Sequence, residues 1–454
     1  MNQMSKSDIS LKTVNLGYKY RLYPTDHQKQ LLSHQMFVYN QSYNICLNLW
    51  KKESEKNRNL EKEEKKYRKA TSYDTVVKRA LSLRKISFKT VVTQQARINF
   101  LNAVKKAFSK EVVAERQKAL DKAQTPKEIA KALKLGFPKF QSSKEPHQSF
   151  TWNNQGYSIL DSTDKFKILQ IMSKKIRFRS HRELPSNHKM CSIVISKDSN
   201  KYYVSFNIEF QKEIGLVISK GNLDITKSIG VDLNIENFAV SNPITLLMKN
   251  IAEVKDDHLI LNGSRNRRGL KYAKAVKVLE RKQSRRVLKI IKSKSKLGKN
   301  HRKTQNKINK LNKSLSNQKQ DLYHKISTAL TREFELIAVE DLKLKNQMTK
   351  SAKGNEIVHG KKVKQKSGLN RSLLSASFYQ FVSMIQYKQT MLNDKLFVKV
   401  NPAYTSQECS ECGNRDKANR PQQDKFKCTK CHHQTNPDFQ ASCTIKKRGL
   451  EKVA

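Results

Sequence analysis

Three acidic residues stand where an acid is costly to place. Asp232 lies within the apolar run Ile229-Gly230-Val231-Asp232-Leu233, and Glu340 closes the apolar run Leu336-Ile337-Ala338-Val339. A carboxylate beside a buried strand loses its hydration and persists only when paired or metal-bound. Asp438 falls in the first turn of a well-marked helix. Asn436 is a good N-cap, Pro437 suits the first helical position, Lys446, Lys447 and Arg448 fill an expected last turn, and Gly449 is read as the stop. Asp438, Ala441, Ser442 and Ile445 share one face at i, i+3, i+4 and i+7, so small residues would let the helix approach a sheet closely and deliver the carboxylate. Gathered in one place, the three could hold two Mg²⁺ or Mn²⁺ ions, which activate water and stabilise the leaving oxygen of a phosphodiester. Taken singly, an acid of this kind is more often a cap or a surface group.

A second set has metal spacing. Cys409-x2-Cys412 is followed, after residues 413–427, by Cys428-x2-Cys431. Four thiolates in two CxxC knuckles suit tetrahedral Zn²⁺, and Gly413 fits the tight turn of the first knuckle. His432 and His433 are read as bystanders, because the cysteines already fill the shell. Cys46, Cys191 and Cys443 are scattered, and the whole set suits a reducing cytosol better than a disulfide scaffold.

The third signal is charge. The chain holds 91 Lys+Arg against 39 Asp+Glu, a net +52, which destabilises a compact state unless a polyanion neutralises it. No apolar run is long enough for a membrane span and no signal core is present, so extended nucleic acid is the expected partner. Residues 265–319 hold 21 Lys/Arg and one acid, Glu280. Their apolar positions Val276, Leu279, Val287, Ile290 and Ile291, then Ile308, Leu311 and Leu315, predict two long basic helices broken near Gly298. With no acids at i±4 to pair with, Arg281, Arg285, Arg286 and Lys289 are candidate contacts to a nucleic-acid backbone, indifferent to base sequence.

Other elements must position these groups. Residues 14–24 alternate like a strand, and a helical pattern begins at Thr25. The stretch 75–134 reads as helices, with Phe100, Leu101, Val104 and Phe108 on one face. Residues 137–152 read as a loop, 165–178 carry strand signals, and 191–210 form a hairpin around Asp198-Ser199-Asn200. Residues 228–242 predict a buried strand, a turn and a second strand; 334–341 and 396–400 predict further strands. The Lys-rich stretch 343–371 is expected to be a mobile loop, followed by a helix over 373–393.

In this order the pieces resemble the TnpB family, the transposon-encoded RNA-guided nucleases related to type V CRISPR effectors. GYKYRLYPTDHQKQLL is similar to the family's opening strand and first helix. FPKFQSSKEPHQSFTW and FKILQIMSKKIRFRSHRELP are similar to its central β-region. GVDLNIENFAV, LYHKISTALTREFELIAVEDLKLKNQ and PDFQASCTIKKRG resemble its three RuvC motifs, with Asp232, Glu340 and Asp438 at the matching acids, and YTSQECSECGN resembles the start of its zinc ribbon.

The resemblance implies a multidomain α/β protein. It places a β-barrel wedge domain at 1–24 and 137–224, a helical recognition lobe at 25–136, an RNase H-like (RuvC) nuclease domain at 225–404 and 436–454, and the ribbon at 405–435. It also implies a guide RNA, a double-stranded target DNA recognised beside a short adjacent motif, Mg²⁺ or Mn²⁺ at the nuclease site and Zn²⁺ in the ribbon. A nuclease-silent RNA-guided repressor and a CRISPR-associated effector are the competing readings, and retention of all three acids favours an active enzyme. Asn234 stands where the first motif often has glycine, and Gln440 and Thr444 where the third often has asparagines.

Overall fold

The computed structural model describes residues 10–453 except 215–222, 243–252, 256–257, 261–266, 293–297, 343–362, 391–394 and scattered loop positions. The chain divides into two compact units, 12–212 and 213–454, the latter together with 1–11.

The first unit is a sheet with helices inserted after its first strand. It runs β1 (Ser10–Tyr23), α1 (Asp26–Lys56), α2 (Ala70–Leu83), α3 (Thr90–Ala107), α4 (Lys110–Asp121), α5 (Pro126–Leu133), β2 (His147–Trp152), β3 (Tyr157–Thr163), β4 (Phe166–Ile171), β5 (Lys174–Arg179), β6 (His188–Asp198) and β7 (Lys201–Ile214). Alternation in β1 turns Tyr18, Tyr20 and Leu22 inward. Thr25 starts α1 with a capping box: its hydroxyl accepts from Gln28 N, and the Gln28 side chain accepts from Thr25 N at 3.0 Å. Leu32, Met36, Tyr39 and Tyr43 then form a buried stripe, which meets α3 where the Tyr43 and Phe100 rings lie 5.7 Å apart.

The strand order is β2-β6-β7-β1-β5-β4-β3, and the sheet curls. Tyr157 of edge strand β3 brings its ring to 6.4 Å from Phe206 of β7, and its hydroxyl donates to the Cys191 carbonyl of β6 at 3.5 Å. The β6–β7 hairpin turns at Ser199-Asn200 as expected, with Ser199 at φ 56°. Two expectations fail here. The last six residues of the anticipated loop 137–152 are strand β2, whose polar residues His147, Gln148 and Ser149 conceal its pairing with β6. Phe108 lies outside the buried stripe: it is the C-cap of α3, 57% exposed, and its ring instead meets Phe137 edge-on.

The second unit runs β8 (Ser228–Leu233), β9 (Asn237–Val240), β10 (Glu253–Lys255), β11 (His258–Ile260), α6 (Arg267–Lys292), α7 (Lys299–Glu333), β12 (Leu336–Glu340), α8 (Val363–Ala376), α9 (Phe378–Thr390), β13 (Leu396–Val400), the short pair β14 (Phe426–Lys427) and β15 (Gln434–Thr435), and α10 (Pro437–Val453). Its sheet has the order β10-β11-β9-β8-β12-β13, antiparallel from β10 to β8 and parallel from β8 through β12 to β13. One face, through Ile229, Val231, Ile337 and Val339, packs on Tyr323, Ile326 and Leu330 of α7 and Phe381 and Ile385 of α9. The other receives α10, with Ala338, Val400 and Ile445 in contact.

The two basic helices break at Gly298, the N-cap of α7, as expected. Ile291 is 66% exposed and so is not part of their seam. Of the expected loop 343–371, residues 343–362 lie outside the described residues, and the remainder is helix from Val363. The helix expected over 373–393 is two helices, α8 and α9, separated at Ser377, whose φ of 58° breaks the helical path.

Gly449 does not stop the last helix, which continues to Val453. It sits where a Cβ would come 2.5 Å from Ala338 Cβ, so its role is close packing. Gly230 is its counterpart on β8. A Cβ there would overlap the Ser442 carbonyl oxygen and approach Lys446 N to 2.5 Å. Both obstacles are helix backbone and cannot rotate away. Gly230→Ala is therefore expected to cost about 2–3 kcal/mol of stability by overpacking. Gly368→Ala, in a helix with nothing within 4 Å of the new Cβ, should instead stabilise by about 0.5–1 kcal/mol. Urea unfolding of the two variants checks both signs.

Candidate active site and metal centre

Strand alternation decides which acids can meet. Val231 and Val339 are register partners in the parallel β8–β12 pair, so Asp232 and Glu340 come next on neighbouring strands. They share the parity of Gly230 and Ala338, the residues against α10, where Asp438 occupies the first turn. The Asn436 side chain caps that turn, accepting from Asp438 N at 2.9 Å and Phe439 N at 3.3 Å. The carboxylates lie at the C-terminal ends of adjacent parallel strands, a usual place for a site in an open sheet.

Electrostatics ties the three together. Asp232 is partly exposed by area, yet its carboxyl group is pushed up to about 7, first by desolvation, then by Glu340 and then by Asp438. The Asn234 amide opposes this, donating to Asp232 Oδ2 at 3.3 Å. Burial also raises Glu340, against the Thr405 hydroxyl, which donates to Oε1 at 2.5 Å, and the Arg448 guanidinium. Among the described residues, the four cysteines are the only group of three or more ligand-type side chains whose atoms all fall within 4.8 Å of one another. The carboxylates are spread more widely than that.

The cysteines meet as their spacing predicts. Cys409 and Cys431 Sγ are 3.6 Å apart, and Cys412 and Cys428 Sγ 3.5 Å. Bonds of about 2.3 Å to one tetrahedral zinc would set these edges near 3.8 Å, so the site fits the ion. Each knuckle closes through backbone: Gly413 N donates to Cys409 O, and His432 N to Cys428 O. The residue after the second cysteine is left-handed in both, Gly413 at φ 71° and His432 at φ 57°. The second knuckle thus uses His432 for its backbone turn. Burial pushes the Cys428 thiol up, but backbone N–H groups of Cys431 and Lys430 with the Cys412 and Cys431 side chains outweigh it, bringing it to about 6.

The ribbon is fastened to α10. Gln440 Nε2 and Thr444 Oγ1, both fully buried, donate to the Glu408 carbonyl at 3.1 and 3.2 Å. Arg448 binds the Glu408 carboxylate at 2.6 Å and the Asn401 and Ala403 carbonyls at 2.7 and 2.9 Å. The two unexpected residues of the last motif therefore make the joint between ribbon and helix. Thr405 was not singled out in the sequence, and Arg448 was read only as part of a last turn that the helix in fact runs past. No local pattern marks them, because their partners are 65 and 40 residues away.

The basic helices place their candidates unequally. Arg281 and Arg285 are exposed and line a groove of about 760 Å³ with Lys277, Ser284, Glu280 and Arg371, and Lys289 is exposed as well. Arg286 is committed inside the protein. It donates to Thr304 Oγ1 at 2.7 Å and Asn300 O at 3.2 Å, clamping α6 to α7.

Two family models match parts of the chain. Residues 14–59 match one described as a helix-turn-helix domain, although here they hold strand β1 and the single helix α1. Residues 378–445 match the Cas12f1-like TNB domain, spanning α9 through the ribbon to the start of α10. InsQ of Escherichia coli (strain K12), whose name assigns it RNA-guided DNA endonuclease activity provisionally, is 29% identical over 62% of this chain and 61% of its own length. The TnpB-like protein L770 of Acanthamoeba polyphaga mimivirus is 27% identical over 57% of this chain and 44% of its own. These curated relatives are thus spanned by less than two thirds. Among solved structures, the Cas12f1–sgRNA–target DNA complex superposes with a TM-score of 0.50 at 13% identity, covering 96% of this chain and 99% of that one, which shows a shared fold. The resemblance to TnpB proteins read from the motifs is borne out.

The raised Asp232 has a consequence for stability. Its folded value lies above its unfolded value of 3.8, so the folded state holds the proton more tightly, and this contribution, present at low pH, is lost as pH rises through about 7. With metal chelated, Asp232→Asn should raise the thermal midpoint at about pH 8 and change it little at about pH 4. A shift of equal size at both would contradict the assignment. Cys428→Ser should lose bound zinc, measured by elemental analysis, and loosen α10 through the Glu408 joint.

Proposed function

We propose that this chain is an RNA-guided DNA endonuclease whose nuclease site is built from Asp232, Glu340 and Asp438. The observation that carries the proposal is the raised Asp232, an acid desolvated beside two other carboxylates at the ends of paired strands. Such a cluster opposes its own ionisation and favours a divalent cation as partner. Three carboxylates of this kind could hold a pair of divalent ions about 3.5–4 Å apart. Bound Mg²⁺ or Mn²⁺ would supply water activation and charge stabilisation at the phosphodiester. The chain's own part is to hold Asp232 through Asn234, Glu340 through Thr405, and Asp438 on the capped turn of α10.

The domain assignment follows the same reading. We take 225–404 with 436–454 as the RNase H-like nuclease domain and 405–435 as the zinc ribbon. Residues 1–24 with 137–224 form the wedge domain, whose barrel character is supported by the meeting of β3 with β6 and β7, and 25–136 the recognition lobe. A guide RNA would pair with one strand of a target duplex next to a short motif, leaving the protein to recognise backbone shape. The names of the relatives and the complex whose fold is shared support this assignment. A net charge of +52 supports polyanionic partners.

Two experiments test the proposal. Asp232→Ala, Glu340→Ala and Asp438→Ala should each abolish Mg²⁺-dependent cleavage of a guide-matched duplex while guide and target binding persist. Because the three act as one unit, the double variants should be no worse than the singles. Near-normal cutting by any of them would mean that the site lies elsewhere. Removing charge at Arg281, Arg285 and Lys289 should weaken binding to all targets alike and flatten its salt dependence by about one counterion per contact. Arg286→Ala should instead lower stability, through the lost clamp on α7.

A further inference from the structure

The sheet of the first unit has two unlike faces. Alternation along β1 and β5 turns Tyr20, Leu22, Ile176 and Phe178 inward and sends Arg21 and Tyr23, with Arg177 and Arg179, to the outside. The antiparallel register sets Arg21 directly opposite Arg179, and Tyr23 opposite Arg177. Like charges so opposed leave their strands about 5 Å apart and repel. Among the described residues no carboxylate answers them: Arg21, Arg177 and Arg179 form no ion pair, and none of the three donates a side-chain hydrogen bond. Arg177 and Arg179 are exposed to water, but Nη1 of Arg21 is buried and has no acceptor. A buried guanidinium nitrogen left in this state calls for a partner from outside the chain.

Aromatic rings hold these cations in place. Arg21 lies against Tyr203 of β7 and Tyr23 at 5.2 and 5.7 Å, Lys19 shares the Tyr203 ring at 4.5 Å, and Arg177 covers Phe166 of β4 at 4.7 Å. Tyr23 and Phe166 meet edge-on at 5.8 Å, which links the two groups. Rings engaged by cations in this way present charge and not open stacking surfaces, so a ligand here is recognised by its anionic groups. A planar guanidinium held in position matches phosphate oxygens two at a time. We infer that this outward face binds the phosphodiester backbone of the guide RNA, an inference that rests on the RNA-guided reading above. A phosphate between Arg21 and Arg179 turns their repulsion into a shared attraction and gives Nη1 its acceptor. The choice of RNA follows from persistence. The buried donor and the opposed charges are there whenever the protein is folded, so the anion that answers them must stay bound, whereas a target duplex is engaged only while it is being cut. Contacts of this kind position the RNA and do not read its bases.

Salt titration of the full-length protein with its co-purified RNA tests this, with target-duplex binding measured separately on the RNA-loaded protein. The double variant Arg21→Gln, Arg179→Gln should weaken RNA binding about tenfold or more at physiological salt and lower the salt slope by about one per lost phosphate contact, while the loaded protein binds its duplex as before. Arg179→Lys, which keeps the charge and loses the fork, should preserve the slope and recover only part of the affinity. Arg179→Gln alone, at an exposed position, serves if the double variant does not fold. The control is Lys131→Gln, Lys134→Gln, which removes two exposed charges at the end of α5. An equal loss in that control would reduce the effect to net charge and overturn the site, as would unchanged RNA affinity and slope in the arginine variants. Weakened duplex binding with RNA binding intact would overturn the assignment to RNA in favour of DNA. An unmodified protein that retains no RNA would overturn the reading on which the inference rests.

Discussion

The backbone of α10 runs against the backbone of β8, and the grouping of the three carboxylates depends on that contact. Only a residue without a side chain allows it, and the sheet supplies Gly230; Gly449 gives the helix a similar closeness to Ala338 of β12. The closeness has an electrostatic result. Asp438 is carried near enough to the strand ends for its charge to be felt at Asp232, through surroundings with little water to screen it. A helix displaced by the width of one methyl group would leave three acids in place by sequence but weaken their coupling.

Two layers of hydrogen bonding keep this arrangement from relaxing. Asn234 and Thr405 each donate to one acid, partly offsetting the cost of keeping carboxylates out of water. Further out, Glu408 works at both ends: its carbonyl receives Gln440 and Thr444, and its carboxylate receives Arg448 and Arg415. Burial pushes Glu408 up, but the two guanidiniums prevail and hold it below the usual carboxylate range. One residue of the ribbon is thereby joined to three successive turns of the helix.

Much of this was legible because it is local. Apolar runs around Asp232 and Glu340 mark buried strands, the Asn436-Pro437 pair marks a helix start, and the cysteine spacing marks two knuckles. What escaped depends on distant partners. Gly449 looks like a stop signal in sequence and proves to be a packing site, because a glycine needing conformational freedom and one needing space are written with the same letter. Arg286 is indistinguishable from Arg285 until Thr304 is brought beside it. Strand β2 was hidden by its own polar residues, and the break between α8 and α9 by a serine with no turn signature. His432 was noticed for its ring, whereas its backbone angle is what the knuckle uses.

The ribbon is inserted between β13 and α10, two elements that pack together within the second unit. Topologically it is a long detour in a chain that must return to its starting point before the last helix can dock. Closing such a detour costs entropy, and the cost falls on whichever element docks last. A cation that draws Cys409 and Cys431 together shortens the detour before α10 arrives. A metal held by the four cysteines would therefore help α10 settle on the sheet, and with it Asp438 near Asp232 and Glu340.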